Sequence, residues 1–175
     1  DAEIRTTTNT GCQGHYGIVK KIGIPYEITE LGGTLYFSSS DVNGRELWKS
    51  DGTLGGTVMV KDICSGTCSS FPSDLTVMGN TLFFAADNDA TGQELWKTDG
   101  TETGTVMVAN VNGNQYDSWW GEPTVIGSTL FFKATDGTNG VELWKSDGTT
   151  SGTSMVKDIN PNNGAVKIYH LTAVG

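Results

Sequence analysis

Short apolar runs and clusters of turn residues alternate along most of this chain, at a constant interval. Over 74–111 the run DLTVMG ends at a turn formed by Gly79 and Asn80, and TLFFAAD follows directly. Two strands separated by two turn residues read as a tight hairpin. The polar loop DNDATG then leads into QELWKTD, and GTETG turns this third strand into TVMVANV, the fourth. No segment carries an apolar stripe at helical spacing over the roughly 11 residues that identify a helix. The pattern predicts four antiparallel strands in chain order.

The same string returns. ELWKSDGTLGGTVMVKDI begins at Glu46, ELWKTDGTETGTVMVANV at Glu94 and ELWKSDGTTSGTSMVKDI at Glu142, which places tryptophans at 48, 96 and 144. Equal spacing over that distance indicates one structural unit repeated. Within a strand, Leu47 faces one side while Glu46 and Trp48 face the other. The LFF and VMV runs are apolar on both sides, as in strands covered on both faces. Such sheets need a like sheet on each side, and radial stacking provides it. The expected fold is therefore all-β, a β-propeller-type repeat of four-stranded antiparallel blades.

The ends align to the same unit. EIRTTTNTGCQGHYGIVKKI matches strands three and four in degraded form, and YHLTAVG matches SDLTVMG. The expected division is a degenerate partial repeat over 1–25, repeats over 26–73, 74–122 and 123–168, and the first strand of a following blade over 169–175. That makes about three complete blades plus shared terminal strands. No TLFF run follows Gly175. The expectation is that the chain continues beyond both ends or is completed by self-association, since unpaired strand edges invite aggregation.

Several repeated residues read as scaffold. Ser50, Asp51, Gly52 and Thr53 recur as Thr98, Asp99, Gly100 and Thr101, then as Ser146, Asp147, Gly148 and Thr149. Aspartate at a turn start accepts backbone N–H bonds, glycine takes positive φ and threonine staples the hairpin. The string resembles the Asp-box hairpins of sialidase-type propellers, and an active site does not need the same residue once per blade. The tryptophans read as packing between blades, each burying up to about 250 Å². For Glu46, Glu94 and Glu142, and for Lys49, Lys97 and Lys145, two readings stand. Either a Glu–Lys pair forms between neighbouring blades beside the indole, or both side chains reach solvent at the blade rim.

Charge narrows the function classes. Eleven Lys plus Arg stand against 20 Asp plus Glu, a net charge of -9. This argues against phosphate-backbone binding to nucleic acid, which needs a basic stripe, and against docking on anionic lipid. No apolar run approaches the roughly 18 residues of a membrane helix, so membrane insertion is not expected. The chain starts at Asp1 with no signal-peptide pattern, so either a leader was removed or the chain is part of something longer. Cys64 and Cys68, in CSGTC, are the candidate disulfide, with Cys12 free or paired in another connectivity. A zinc site is disfavoured because His15 and His170 stand alone and no second ligand pair exists. A disulfide points to an oxidising, extracellular setting.

The string GxELWxSDGTxxGTxMVKDI, preceded by LFFAA or a close variant, closely resembles the ELWxxDGT repeat proteins of bacteria. The match is strong over 26–159 and weak at both ends. The resemblance implies a secreted or cell-surface location and a propeller-like architecture, and it carries no catalytic residues.

Function is expected where copies differ. The loop after the second repeat unit carries Asn114, Gln115, Tyr116, Asp117, Trp119 and Trp120, none of which repeats. Aromatic faces beside amide and carboxylate groups suit glycans, while the alternative is a plug that caps the core. The loops between strands two and three hold Asp41 with Asn43, Asp87 with Asn88 and Asp89, and Asp136 with Asn139. These oxygen-rich clusters are candidate calcium ligands, or ordinary turn chemistry. A sialidase site needs an arginine cluster, and only Arg5 and Arg45 are present. The expected function is a non-catalytic binding or structural module. The alternatives are a calcium-dependent lectin-like adhesin and a propeller glycoside hydrolase, which needs two opposed carboxylates.

Overall fold

In the computed structural model, residues 2–6, 17–113, 116–118, 121–161, 168 and 171–173 are described. The described residues hold fourteen strands and no helix. An amino-terminal hairpin joins β1 (Ala2–Thr6) to β2 (Gly17–Ile22). Three antiparallel sheets follow, each with its strands in chain order. The first contains β3 (Tyr26–Leu31), β4 (Thr34–Asp41), β5 (Gly44–Ser50) and β6 (Val58–Lys61). The second contains β7 (Ser73–Met78), β8 (Thr81–Asp87), β9 (Gln93–Thr98) and β10 (Val106–Ala109). The third contains β11 (Gly121–Ile126), β12 (Thr129–Thr135), β13 (Val141–Ser146) and β14 (Ser154–Lys157).

The sheets stack face to face, and backbones of neighbouring sheets come closest at their first strands, β7 lying against both β3 and β11. Period-two alternation explains how each sheet feeds two cores. Leu82, Phe84 and Trp96 join Tyr36, Leu47, Val60 and Ile63 in the core between the first and second sheets. Phe83 and Leu95, one residue out of step, join Leu130, Phe132 and Trp144 in the core between the second and third. Trp48 packs with Ile22, Phe37 and Met59 against the amino-terminal hairpin. Each tryptophan thus lies between its own sheet and the element before it.

The terminal segments keep the register of the repeat. In β1 and β2, Ile4 lies opposite Lys20 and Arg5 opposite Ile18, with a bulge between them. Leu47 with Lys61 and Trp48 with Met59 show the same bulge in the first full sheet, and the third sheet repeats it at Leu143 and Trp144. The amino-terminal hairpin therefore has the form of strands three and four. At the other end, the Thr124 hydroxyl donates to the Leu171 carbonyl at 3.0 Å, as the Thr29 hydroxyl donates to Leu75 at 3.2 Å. Leu171 holds the place of a following first strand.

The Asp-box hairpins are built alike in all three sheets. Asp99 Oδ1 accepts from the Thr101 N–H at 2.8 Å and from its hydroxyl at 2.7 Å. Thr101 Oγ1 accepts in turn from Gly104 N at 2.9 Å. Asp51 and Asp147 do the same with Thr53 and Thr149. These bonds favour the charged form and hold all three carboxyls below the usual aspartate range. Their stabilisation is present above the unfolded-state pKa and is lost as pH falls through the lowered folded-state value. A Cβ at Gly104 collides with the Asp99 carboxylate, whereas one at Gly55 meets nothing within 4 Å. Gly104→Ala is accordingly expected to cost about 1–3 kcal/mol in urea unfolding, and Gly55→Ala to leave stability unchanged or slightly raised.

Candidate functional site

Each sheet hands the chain to the next through a crossover that runs past the turn between its own strands two and three. Ser70 marks the first crossover: its N–H donates to Arg45 O at 2.9 Å, and its carbonyl accepts from Asp87 N of the next sheet at 2.9 Å. Ser118 repeats this with Gln93 O at 3.2 Å and Thr135 N at 2.7 Å. Both serines are buried. One residue therefore ties two sheets at the end where the variable loops lie.

The repeated glutamate fastens each crossover. Glu46 is fully buried. Its Oε2 accepts from Ile63 N at 3.0 Å and from the Ser70 hydroxyl at 2.5 Å, and its Oε1 from Ser70 N at 3.1 Å. Glu94 accepts from Val111 N at 3.1 Å and from the Ser118 hydroxyl at 2.8 Å, both on Oε2. Its Oε1 is buried without a partner. Glu142 accepts from Ile159 N at 3.1 Å and Asn160 N at 3.4 Å. Burial raises the Glu46 carboxyl, opposed by its hydrogen bonds. Burial pushes Glu94 up to about 7, with nearby Asp117 adding to the rise.

Of the two readings for these residues, no Glu–Lys pair between sheets forms among the described residues, and the solvent reading fails for the glutamates, which are buried. The glutamates point into their own crossovers, Lys49 and Lys97 reach the turn of the next sheet, and Lys145 is exposed. Lys49 Nζ donates to Gly100 O and Lys97 Nζ to Gly148 O, each at 2.8 Å. A buried carboxylate is better matched by several N–H and O–H donors than by one flexible ammonium, and the crossover supplies those donors.

Of the candidate glycan residues, the structure describes Tyr116 and Asp117; Asn114, Gln115, Trp119 and Trp120 lie outside the described residues. Tyr116 is 70 % exposed, and its carbonyl accepts from Asn112 Nδ2. Asp117 Oδ1 accepts from Gln93 N at 2.8 Å, which ties this loop to the turn between β8 and β9. The aromatic ring is thus presented on a loop held at both Asp117 and Ser118.

The candidate calcium ligands sit apart, one set per sheet. Asp41 Oδ1 accepts from Asn43 N at 2.8 Å and Asp87 Oδ1 from Asp89 N at 2.7 Å. Asp136 accepts from Thr138 N and Asn139 N at 2.8 Å and from Asn139 Nδ2 at 2.7 Å. These are Asx turns. Among the described residues, no three His, Cys, Asp or Glu side chains come together as a metal-holding group. Cys64 and Cys68 are joined as a disulfide, with Cα atoms 5.2 Å apart, in the first crossover. The guanidinium of Arg45 lies over the Tyr26 ring, 4.2 Å from its centroid.

A feature the sequence reading passed over lies on the first strands. Glu27, Asp74 and Glu122 occupy equivalent bulges with φ of 55°, 56° and 53°. The Asp74 carboxyl is raised first by burial and next by Glu27, with Lys133 opposing and Glu122 adding. Lys133, in a position held by Ala85 in the second sheet, is buried and lies 3.3 Å from Glu122. An acid at the second position of every first strand was the available signal, hidden because the expected repeats began one residue before Glu27, at Asp74 and one residue after Glu122. No family model matches the chain, and no curated protein matches it.

Proposed function

We propose that this chain is a non-catalytic β-propeller-type repeat module of a secreted or cell-surface protein, whose stacked sheets present crossover loops for binding or assembly. The observation that carries this reading is how the repeated acids are used. Asp51, Asp99 and Asp147 hold the hairpins, and Glu46, Glu94 and Glu142 hold the crossovers. Groups committed to backbone N–H donors in every copy are scaffold rather than acid–base catalysts. The close approach of β3, β7 and β11 supports radial stacking about those strands. The disulfide supports an oxidising, extracellular setting.

A second reading follows from Tyr116. An exposed aromatic beside a carboxylate, on a loop fixed by its neighbours, suits the apolar face and hydroxyls of a sugar. On a glycan array the chain is expected to retain one sugar class, and Tyr116→Ala to weaken that binding by at least about tenfold. Repeating the array with a chelator separates a calcium-dependent lectin from a metal-independent one. Absence of binding to any glycan leaves the structural and assembly role alone. Turnover of a chromogenic glycoside by the purified chain would overturn the non-catalytic reading.

A further inference from the structure

The joint between the first and second sheets carries a polar group that packing does not explain. Tyr36, on β4, is 5 % exposed and sits in the core with Leu47, Leu82 and Trp96. Apolar contacts place its ring, yet its hydroxyl makes no hydrogen bond among the described residues. A buried phenol ordinarily finds a partner. The hydroxyl lies so close to Gly100 that a Cβ there has no room, and it opens into a cleft of about 510 Å³.

The cleft belongs to both sheets. Tyr36, Lys49, Asp51 and Val58 line it from the first, Asp99 and Gly100 from the second. Each aspartate spends Oδ1 on its threonine, which leaves Oδ2 to accept from a ligand. Lys49 Nζ spends one donor on Gly100 O, and an ammonium has three. Burial, and next Asp99, hold the Tyr36 phenol above its usual range, so it keeps its proton while both aspartates, held low, stay charged. Free acceptors and free donors stand together at one opening, on a frame fixed before any ligand arrives.

The next joint supplies a comparison within the chain. Its cleft, about 330 Å³, is lined by Phe83, Lys97, Asp147 and Gly148. Phe83 crowds Gly148 as Tyr36 crowds Gly100, but it has no hydroxyl, and Asp99, the counterpart of Asp51, is not part of that lining. The stack therefore needs only the ring. The hydroxyl and the second carboxylate are additions peculiar to the first joint.

We propose that the cleft between the first two Asp-box hairpins binds a saccharide, held through neighbouring hydroxyl groups by Tyr36, Asp51, Asp99 and Lys49. A sugar hydroxyl donates and accepts at once, so adjacent hydroxyls match carboxylate acceptors together with phenol and ammonium donors. Val58 and the bare backbone of Gly100 offer an apolar lining to the C–H groups of the sugar ring. An amine ligand would use the acceptors alone and would meet the Lys49 charge. The site lies at the Asp-box end of the sheets, whereas Tyr116 lies at the crossover end, and the proposal stands whether or not Tyr116 binds glycans.

The test is an NMR titration of the full chain with the methyl glycosides of glucose, galactose, mannose and N-acetylglucosamine, read at the Gly56 and Gly100 amides, both in the cleft lining. At least one sugar is expected to give saturable shifts at both glycines. Tyr36→Phe, which copies the second joint and so keeps the fold, is expected to weaken that sugar at least about fivefold, the worth of one hydrogen bond. Tyr116→Ala is expected to titrate as the parent does. No saturable shift with any of the four up to about 10 mM, or equal affinity of Tyr36→Phe and the parent, overturns the proposal. Loss of the shifts in Tyr116→Ala does so too, because the sugar would then sit on the crossover loop. Saturation of the same two amides by methylammonium, with none by the sugars, would overturn it in favour of an amine site.

Discussion

Trp96→Ala lowers the free energy of unfolding by about 3–5 kcal/mol, the cost of emptying a large aromatic site in a close-packed core. Trp96 is buried between the first and second sheets, against Leu47, Val60 and Phe84. With stability for an ordinary domain at about 5–15 kcal/mol, this loss brings the chain near the edge of folding. A fall in Tm of roughly 10 °C or more is expected for a chain of this size. Val42→Ala, at a highly exposed position, stays within about 0.5 kcal/mol. The double variant Leu47→Ala/Trp96→Ala carries the sharper test, because the residues lie on β5 and β9, strands of different sheets. Residues sharing one cavity couple by about 0.5–3 kcal/mol. Strictly additive losses would mean that the two sheets do not share this core.

The glutamate clamps give the second large effect, and two copies respond differently. Glu46 uses both oxygens and three donors. Glu46→Ala leaves Ile63 N buried and unsatisfied, at about 1–3 kcal/mol, while Ser70 N keeps its bond to Arg45 O, and it loosens the crossover that carries the disulfide. Glu94 uses one oxygen, and its carboxyl rises from 4.5 to about 7. A raised folded-state value means that the folded chain holds a proton which the unfolded chain has released. Stability from this group is full below the unfolded value of 4.5 and is lost as pH rises through about 7. At 1.36 kcal/mol per unit, moderated for screening, the swing is about 2 kcal/mol. Urea unfolding of the parent should therefore show a component that weakens from pH 5 to pH 8. Glu94→Gln should remove that component and melt above the parent at pH 8. A profile unchanged by the substitution would show that Glu94 titrates normally in the folded chain.

Much of the fold was legible because the repeat writes its packing into the residue pattern. Turn pairs such as Gly79 and Asn80 gave the hairpins, and the double-sided apolar runs LFF and VMV announced sheets covered on both faces. Asp51, Asp99 and Asp147 were legible as scaffold because their bonds run to residues two positions away. Glu46 was misread. Its partners lie 17 and 24 residues downstream, in crossovers whose sequences differ from copy to copy, so no local pattern announces them. The acids at 27, 74 and 122 do recur in the sequence, but that they influence one another follows only once three first strands lie side by side.

Local chemistry decided the strands, their turns, their order and the identity of the repeating unit, since these depend on period-two alternation and on contacts within a few residues. Folding in three dimensions decided where the buried glutamates and lysines find partners, and that Leu35 lies exposed while Leu82 is sealed. Those outcomes depend on which sheet covers which face. The same Thr-Leu-aromatic-Phe strand is sealed or exposed according to the neighbour it has, and a neighbour is a property of the stack, not of the strand.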